Sequence, residues 1–330
     1  MRTILITVCT ILIVPTVLFA QDSTDTVIKR TYTTQLLHDI AAPEIDGLLD
    51  DPGWAIVEWE GDFVEQRPDE NTQPNHQTKF KIVYDKKFLY VAFRAYDSDP
   101  SKIVKRLSRR DGFEGDWVGL FIDSYHDKRT AFGFIVTAAG VKADVFNTNN
   151  GNNEDESWNP IWYTKTNTDA EGWTAEMKIP LSQLKFGKST EQVWGLEVMR
   201  QLFREEERSV WQRIKQDTPG FVSEFGLLNG LLNLEPQKQL EIQPYAVAKL
   251  ETYETEEGNP FRDGNDSQIT GGLDAKIGIT NDLTLDLTVN PDFGQVEADP
   301  SAIALDGFQI FFREQRPFFV ENKNIFDYRI

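Results

Sequence analysis

Two tryptophans, Trp158 and Trp162, stand in the segment Ser157-Trp158-Asn159-Pro160-Ile161-Trp162-Tyr163, directly after a polar run from Asn147 to Glu156. Flat aromatic rings stack on the apolar C–H faces of sugar rings, and a concave site joins such rings to a few placed polar groups. At a loop leaving a strand, at least one of these indoles reads as ligand-facing. A packed turn that takes one of the rings into the core would show the same spacing. Trp54, Trp117, Trp173 and Trp194 lie in strand or anchor patterns and read as core. Polar partners are offered by Arg109, Arg110, Asp111, Glu114 and Asp116, and by Asn147. From these, Arg110, Asp116 and Asn147 join Trp158 and Trp162 as the candidate carbohydrate-binding set. Guanidinium and carboxylate groups hold sugar hydroxyls by charge-assisted hydrogen bonds. The competing reading is a set of surface ion pairs with little energetic consequence.

The same polar run could serve a metal. Calcium takes about six to eight oxygens on a flexible frame, and the stretch Asn147 to Glu156 is rich in them. Asn149 and Asp155 are its candidate calcium ligands. The signal is compositional, because the spacing is not that of a helical calcium loop, and a solvated loop is the reading preferred over it. Catalysis finds less support. Glycosidases need two carboxylates at a set separation, and 53 acidic residues offer pairs everywhere. His38, His76 and His126 are the only histidines, and none has a neighbour at metal-ligand spacing. There is no Gly-x-Ser-x-Gly elbow and no phosphate-cradling glycine loop. No catalytic residue is assigned.

Strands must position these groups. Lys79 to Tyr84 and Phe88 to Tyr96 are β-branched and aromatic runs joined by Asp85-Lys86-Lys87, a hairpin signal. Trp117 to Asp123 follows, then Thr130 to Thr137 and Val141 to Phe146 around an Ala139-Gly140 turn. Trp173, Ala175, Met177 and Ile179 alternate with Thr174, Glu176 and Lys178, the period of a half-buried strand. Val193 to Leu202 adds another. The best helical candidates, Lys102 to Arg109 and Leu181 to Phe186, are short. Many short strands without regular helical alternation predict an all-β, antiparallel sandwich of jelly-roll type over residues 40–234.

The ends of the chain set the compartment. Arg2, the apolar run Ile4 to Val14, Pro15 and a small residue at Ala20 have the layout of a secretory signal peptide over residues 1–20. Residues 21–39 read as a polar lead-in. Cys9, inside the apolar run, is the only cysteine, so disulfides, zinc knuckles and thiol chemistry are excluded from the exported part. The net charge of -19 excludes a nucleic-acid partner, which calls for a basic footprint.

Beyond Pro236 the pattern lengthens. Leu240 to Tyr253 is a long strand candidate. Leu273, Ala275, Ile277 and Ile279 then alternate with polar residues, as do Leu283, Leu285, Leu287 and Val289 after the turn Thr280-Asn281-Asp282. Such pairs fit a transmembrane barrel hairpin or the edge of a soluble sandwich. Barrels close with at least about eight strands, more than residues 235–330 supply, and the chain stops within Asp327-Tyr328-Arg329-Ile330. The expectation is therefore the front end of a longer protein, with incomplete barrel strands after the sandwich.

The segment Ala42 to Trp54, with Phe88 to Phe93, Asp116 to Asp123 and Gly172 to Pro180, resembles family 9 carbohydrate-binding modules in order and spacing. The passages Thr288 to Pro300 and Phe311 to Glu321 resemble the uncharacterised domain DUF5916. The first resemblance implies a β-sandwich that grips sugar chain ends between two tryptophans with polar help, and that carries calcium. The second implies a barrel in the outer membrane of a Gram-negative bacterium. Together they suggest an exported protein of the outer membrane or periplasm, with a poly- or oligosaccharide as partner. Two other function classes stay open: a structural cap or plug of the barrel, and part of a hydrolase acting on O-glycosyl bonds in carbohydrate catabolism.

Overall fold

β-Branched and aromatic residues fill the runs between turn formers, and these runs become strands. The computed structural model describes residues 27–252, 254–255, 258–259, 264–280, 283–291, 314 and 316–321. The expected signal peptide, and most of the two passages that resemble DUF5916, lie outside the described residues. The first strands in chain order are β1 (Thr31–Thr33), β2 (Gln35–Leu36), β3 (Val64–Arg67), β4 (Thr78–Tyr84) and β5 (Phe88–Tyr96). Next come β6 (Trp117–Asp123), β7 (Ala131–Thr137), β8 (Lys142–Thr148), β9 (Asn153–Asp155), β10 (Tyr163–Asp169) and β11 (Gly172–Pro180). The last are β12 (Glu191–Leu202), β13 (Glu207–Val210), β14 (Gly226–Leu232), β15 (Leu240–Thr252), β16 (Asn265–Gly278) and β17 (Thr284–Val289).

Two sheets make the sandwich. The larger runs β1-β14-β12-β6-β7-β8-β9, and β13 links β12 to β3 at one side. The smaller runs β10-β11-β5-β4-β2. Pairing is antiparallel except at two short edges, where β1 lies parallel to β14 and β2 parallel to β4. Between the sheets, Val118, Leu120, Ile122, Phe134 and Val136 meet Phe80, Ile82, Val91, Phe93, Trp173 and Met177 in one buried core. The outer faces are covered too. Trp54 and Val57 cover the smaller sheet at Val83, Tyr90 and Ala92. Ile214, Val222 and Phe225 cover the larger one at Trp117, Phe121, Met199 and Val210. Burial on both faces explains why β6 and β7 read as unbroken apolar runs instead of alternating.

The two helical candidates are corrected. Only Pro100–Lys102 forms a turn of 3-10 helix, and Lys105 then bridges to Gly115 as extended chain. β-Branched Ile103 and Val104 favour that outcome. Leu181–Gln183 is likewise one 3-10 turn, after which Leu184 is extended.

After the sandwich, β15, β16 and β17 form a separate antiparallel sheet. Its register places Ile242, Ala246, Leu250, Ile269, Leu273, Leu285 and Val289 on one face, and Glu241, Gln243, Asp274, Lys276 and Asp286 on the other. The apolar face is open: Leu250 and Ile269 are each 85% exposed. Gln183 donates to Glu241 at 2.7 Å and Ser157 Oγ donates to the Val320 carbonyl at 3.3 Å, so the sandwich meets the polar side.

Candidate functional site

A transverse row of side chains crosses the outer face of the larger sheet. Gln201 on β12 is paired with Trp117 on β6 and with Arg208 on β13, and Arg208 is paired in turn with Arg67 on β3. Directly opposed residues share a face, so the four side chains stand in one line. Arg208 reaches across this line: its Nε donates to Gln201 Oε1 at 3.2 Å, and its guanidinium lies 5.4 Å over the Trp117 ring. A register shift at Gln66 leaves Gln66 beside Arg67 on the same rim.

Beside this row lies a groove of about 490 Å³. Trp117, Phe121, Ile135, Val145 and Met199 make its floor, Phe113 and Phe221 its walls, and Gln66, Arg67, Arg208, Glu154 and Glu156 its polar rim. Phe113 is 37% exposed and meets Trp117 edge-on at 6.2 Å. Phe221 meets Phe121 edge-on at 5.4 Å. The floor depends on Gly133, where a Cβ would stand 2.6 Å from Val145 Cγ1 and 2.8 Å from Phe121 Cε1. Glycine at that position lets the Phe121 ring lie against the backbone.

The wall at Phe221 is tied down from the β8–β9 hairpin. Asn150 accepts the Phe221 N–H on its carbonyl at 3.0 Å and the Ser223 N–H on its side-chain oxygen at 2.8 Å. Arg208 is half-buried, and burial, followed by the nearby Arg67, holds its pKa below the ordinary arginine value against an opposing pull from Glu154. The arrangement offers ring faces, hydroxyl acceptors and cationic donors in one concavity.

Of the candidate set read from the sequence, one residue falls on this face. Asn147 follows Val145 on β8, pairs with Glu154 on β9, and is fully buried. Neither atom of its side-chain amide has a hydrogen-bond partner among the described residues. The others are drawn elsewhere. Trp162 is 1% exposed, its indole N–H donates to Asp144 Oδ1 at 2.7 Å, and Phe134 meets it edge-on. It belongs to the core and presents no free face. Trp158 packs among Phe132, Phe134 and Phe146, with only part of its ring open. Arg110 forms an ion pair with Asp144 at 2.7 Å and donates to the Pro160 carbonyl at 2.8 Å, which fixes the Trp158–Trp162 loop. Asp116 is fully buried and accepts the Phe203 N–H at 3.0 Å.

The calcium candidates serve their own hairpin. Asn149 takes a left-handed φ of 53° and its carbonyl accepts from Asn152, while Asp155 accepts from Ser157 N and Oγ. Among the described residues no group of three or more His, Cys, Asp or Glu is placed to hold a metal ion. The sequence reading missed Phe113, Phe221, Arg67 and Arg208. The available signal was Trp117-x-Gly119-x-Phe121, aromatic residues and a glycine at strand period, which is a flat aromatic face where the sheet is buried on both sides.

The profile of the family described as carbohydrate family 9 binding domain-like matches residues 45–217, more than half of the chain. The chain belongs to this family. The rest carries a match to the domain of unknown function DUF5916 over residues 236–329. The carbohydrate family 9 domain is similar to solved structures of a family 9 carbohydrate-binding module from Caldicellulosiruptor kristjanssonii. The complex with glucose matches at 19% identity over 63% of this chain and 97% of that one, with a TM-score of 0.44. The complex with cellotriose matches at 20% identity over 63% and 95%, with a TM-score of 0.42. A Bacteroides uniformis protein matches at 15% identity over 61% and 99%, with a TM-score of 0.49. No curated protein matches the chain.

Proposed function

We propose that this protein binds a poly- or oligosaccharide in the groove on the larger sheet of its sandwich, residues 40–234, and that residues 235–330 begin a barrel tethering it to the outer membrane after export. The groove itself carries the reading. Phe113 and Phe221 flank a floor of Trp117 and Phe121, with Gln66, Arg67, Arg208, Glu154 and Glu156 on the rim. Aromatic faces with a few convergent polar groups are what a sugar ring requires. Membership of a carbohydrate-binding-like family supports it. The barrel reading draws on the open apolar face of β15–β17, opposite a polar one. A second reading, the sandwich as a cap on the barrel, draws on the Gln183–Glu241 and Lys185–Thr284 hydrogen bonds at 2.7 and 3.4 Å.

The test is a glycan array probed with the detergent-solubilised full chain, followed by calorimetric titration of each glycan retained. Phe113→Ala removes an accessible ring worth about 0.5–1.5 kcal/mol in stacking, so affinity should fall several-fold. Trp158→Ala should leave it unchanged. A folded protein that retains no glycan, or retains one with equal affinity after Phe113→Ala, sinks the reading and leaves the cap. Titrated glycans recovered intact exclude hydrolysis, and shortened products would establish it.

A further inference from the structure

Arg208 and Arg67 are directly opposed across β13 and β3, and both line the groove. Like charges directly opposite on neighbouring strands destabilise a sheet. Among the described residues neither guanidinium has an ion-pair partner. The Nε of Arg208 is used on Gln201 and its face on Trp117, and its two Nη groups make no hydrogen bond among the described residues. Four other arginines of the sandwich are paired with carboxylates: Arg94 with Asp169, Arg110 with Asp144, Arg204 with Asp97 and Arg213 with Glu70. A directly opposed cationic pair, relieved only by the pull of Glu154 on Arg208, is a cost that the fold does not need.

We propose that the groove recognises an acidic glycan, with the carboxylate of a uronic-acid residue held between Arg208 and Arg67 and the sugar ring against the aromatic walls. The inference rests on the reading of the groove as a sugar site and narrows the ligand class. A planar carboxylate accepts two parallel N–H bonds from a guanidinium, a fit that a neutral sugar lacks. Glu154 and Glu156 on the same rim accept hydrogen bonds from sugar hydroxyls and repel a second carboxylate nearby, so one acidic residue is bound at a time.

The experiment titrates the full chain with oligogalacturonate, oligoglucuronate and oligomannuronate, each against its methyl ester, with a neutral oligosaccharide panel and a sulfated galactan. The ester keeps the ring and removes the charge. At least one acid should bind about tenfold or more tighter than its ester, the size of a charge-assisted hydrogen bond. Arg208→Gln and Arg67→Gln should each abolish that preference, bringing acid and ester to the same affinity. Equal binding of acid and ester for every sugar overturns the inference, as does a preference that survives both substitutions. Tighter binding of the sulfated galactan than of any uronate overturns the carboxylate assignment. Binding of neutral glycans alone removes this inference and leaves the sugar reading. A folded protein that binds none of them removes both.

Discussion

Trp54 donates its indole N–H to Glu176 Oε1 at 2.9 Å, while Glu176 Oε2 accepts the backbone N–H groups of Asp46 at 3.1 Å and Gly47 at 2.8 Å. One carboxylate thus holds the turn-rich segment from Asp46 to Trp54 against the smaller sheet. Gly47 has φ of +92°, and a Cβ there would stand 3.0 Å from the Thr166 carbonyl carbon, so only glycine makes this approach. Glu176→Ala leaves three donors without an acceptor and should lower unfolding free energy by about 3 kcal/mol. Trp54→Phe, which removes one donor, should cost about 1 kcal/mol. Urea denaturation measures both, and an unchanged midpoint for Glu176→Ala would mean that the segment is held by packing alone.

Burial raises the pKa of Glu176 to about 7 and that of Glu197 to about 8. Glu197 Oε1 accepts the N–H groups of Val198, Trp211 and Gln212, which lower its pKa without offsetting burial. Both folded values lie above the ordinary 4.5 of an unfolded glutamate. On raising the pH the unfolded chain therefore loses these protons first, and folding free energy falls. Their contribution is whole below pH 4.5 and is lost by pH 8. Denaturation at pH 5, 6.5 and 8.5 should give falling stability, with a slope of at most about 1.4 kcal/mol per pH unit for each group. Glu197→Gln should flatten the decline up to about pH 8, and Glu176→Gln only up to about pH 7. A stability that rises across this range would refute the assignment.

The β-sandwich was legible because its strands are short, β-rich and bounded by turn formers. Asp85 shows how local that information is: its Oδ1 accepts the N–H groups of Lys87 and Phe88 and closes the expected hairpin. The site was not legible, because it depends on which side of a doubly buried sheet each residue faces. Trp117 was rightly read as buried, yet its burial lies on the outer face, on the groove floor. Trp162 looked like a platform in its polar surroundings, but Asp144, hidden in a strand eighteen residues earlier, satisfies its indole inside the core. Arg67 and Arg208 lie 141 positions apart, and only the pairing of β3 with β13 brings them together.

Arg200 and Asp116 occupy the buried end of the sandwich, and both are essentially unexposed. Arg200 donates Nη2 to the Tyr96 carbonyl at 2.8 Å and Nη1 to the Gln77 carbonyl at 3.2 Å. Burial lowers its pKa to about 10, with Asp116 and Asp97 opposing the fall. Arg200→Met strands these carbonyls and leaves Asp116 without one of its compensating charges, so it should cost about 3 kcal/mol or more. Asp116→Ala should also destabilise while leaving the glycan affinity of the folded protein intact. Thermal melts paired with titration decide the matter: lost affinity at undiminished stability would return Asp116 to the binding site.

On the C-terminal sheet, side chains one residue apart face opposite environments. Ile269 is 85% exposed on the apolar face, beside Ala248, while Thr270 pairs with Val247 on the other. If the apolar face meets lipid, a cation there pays for leaving water, about 2–4 kcal/mol near the middle of a bilayer. Ile269→Arg and Leu285→Arg should then reduce co-sedimentation of the full chain with phospholipid vesicles. Thr270→Arg, turned to the polar side, should not. Equal losses from both faces would make the effect one of folding. Wild-type protein that stays in the supernatant would remove the membrane reading of this sheet and make its open apolar face a contact for another protein surface.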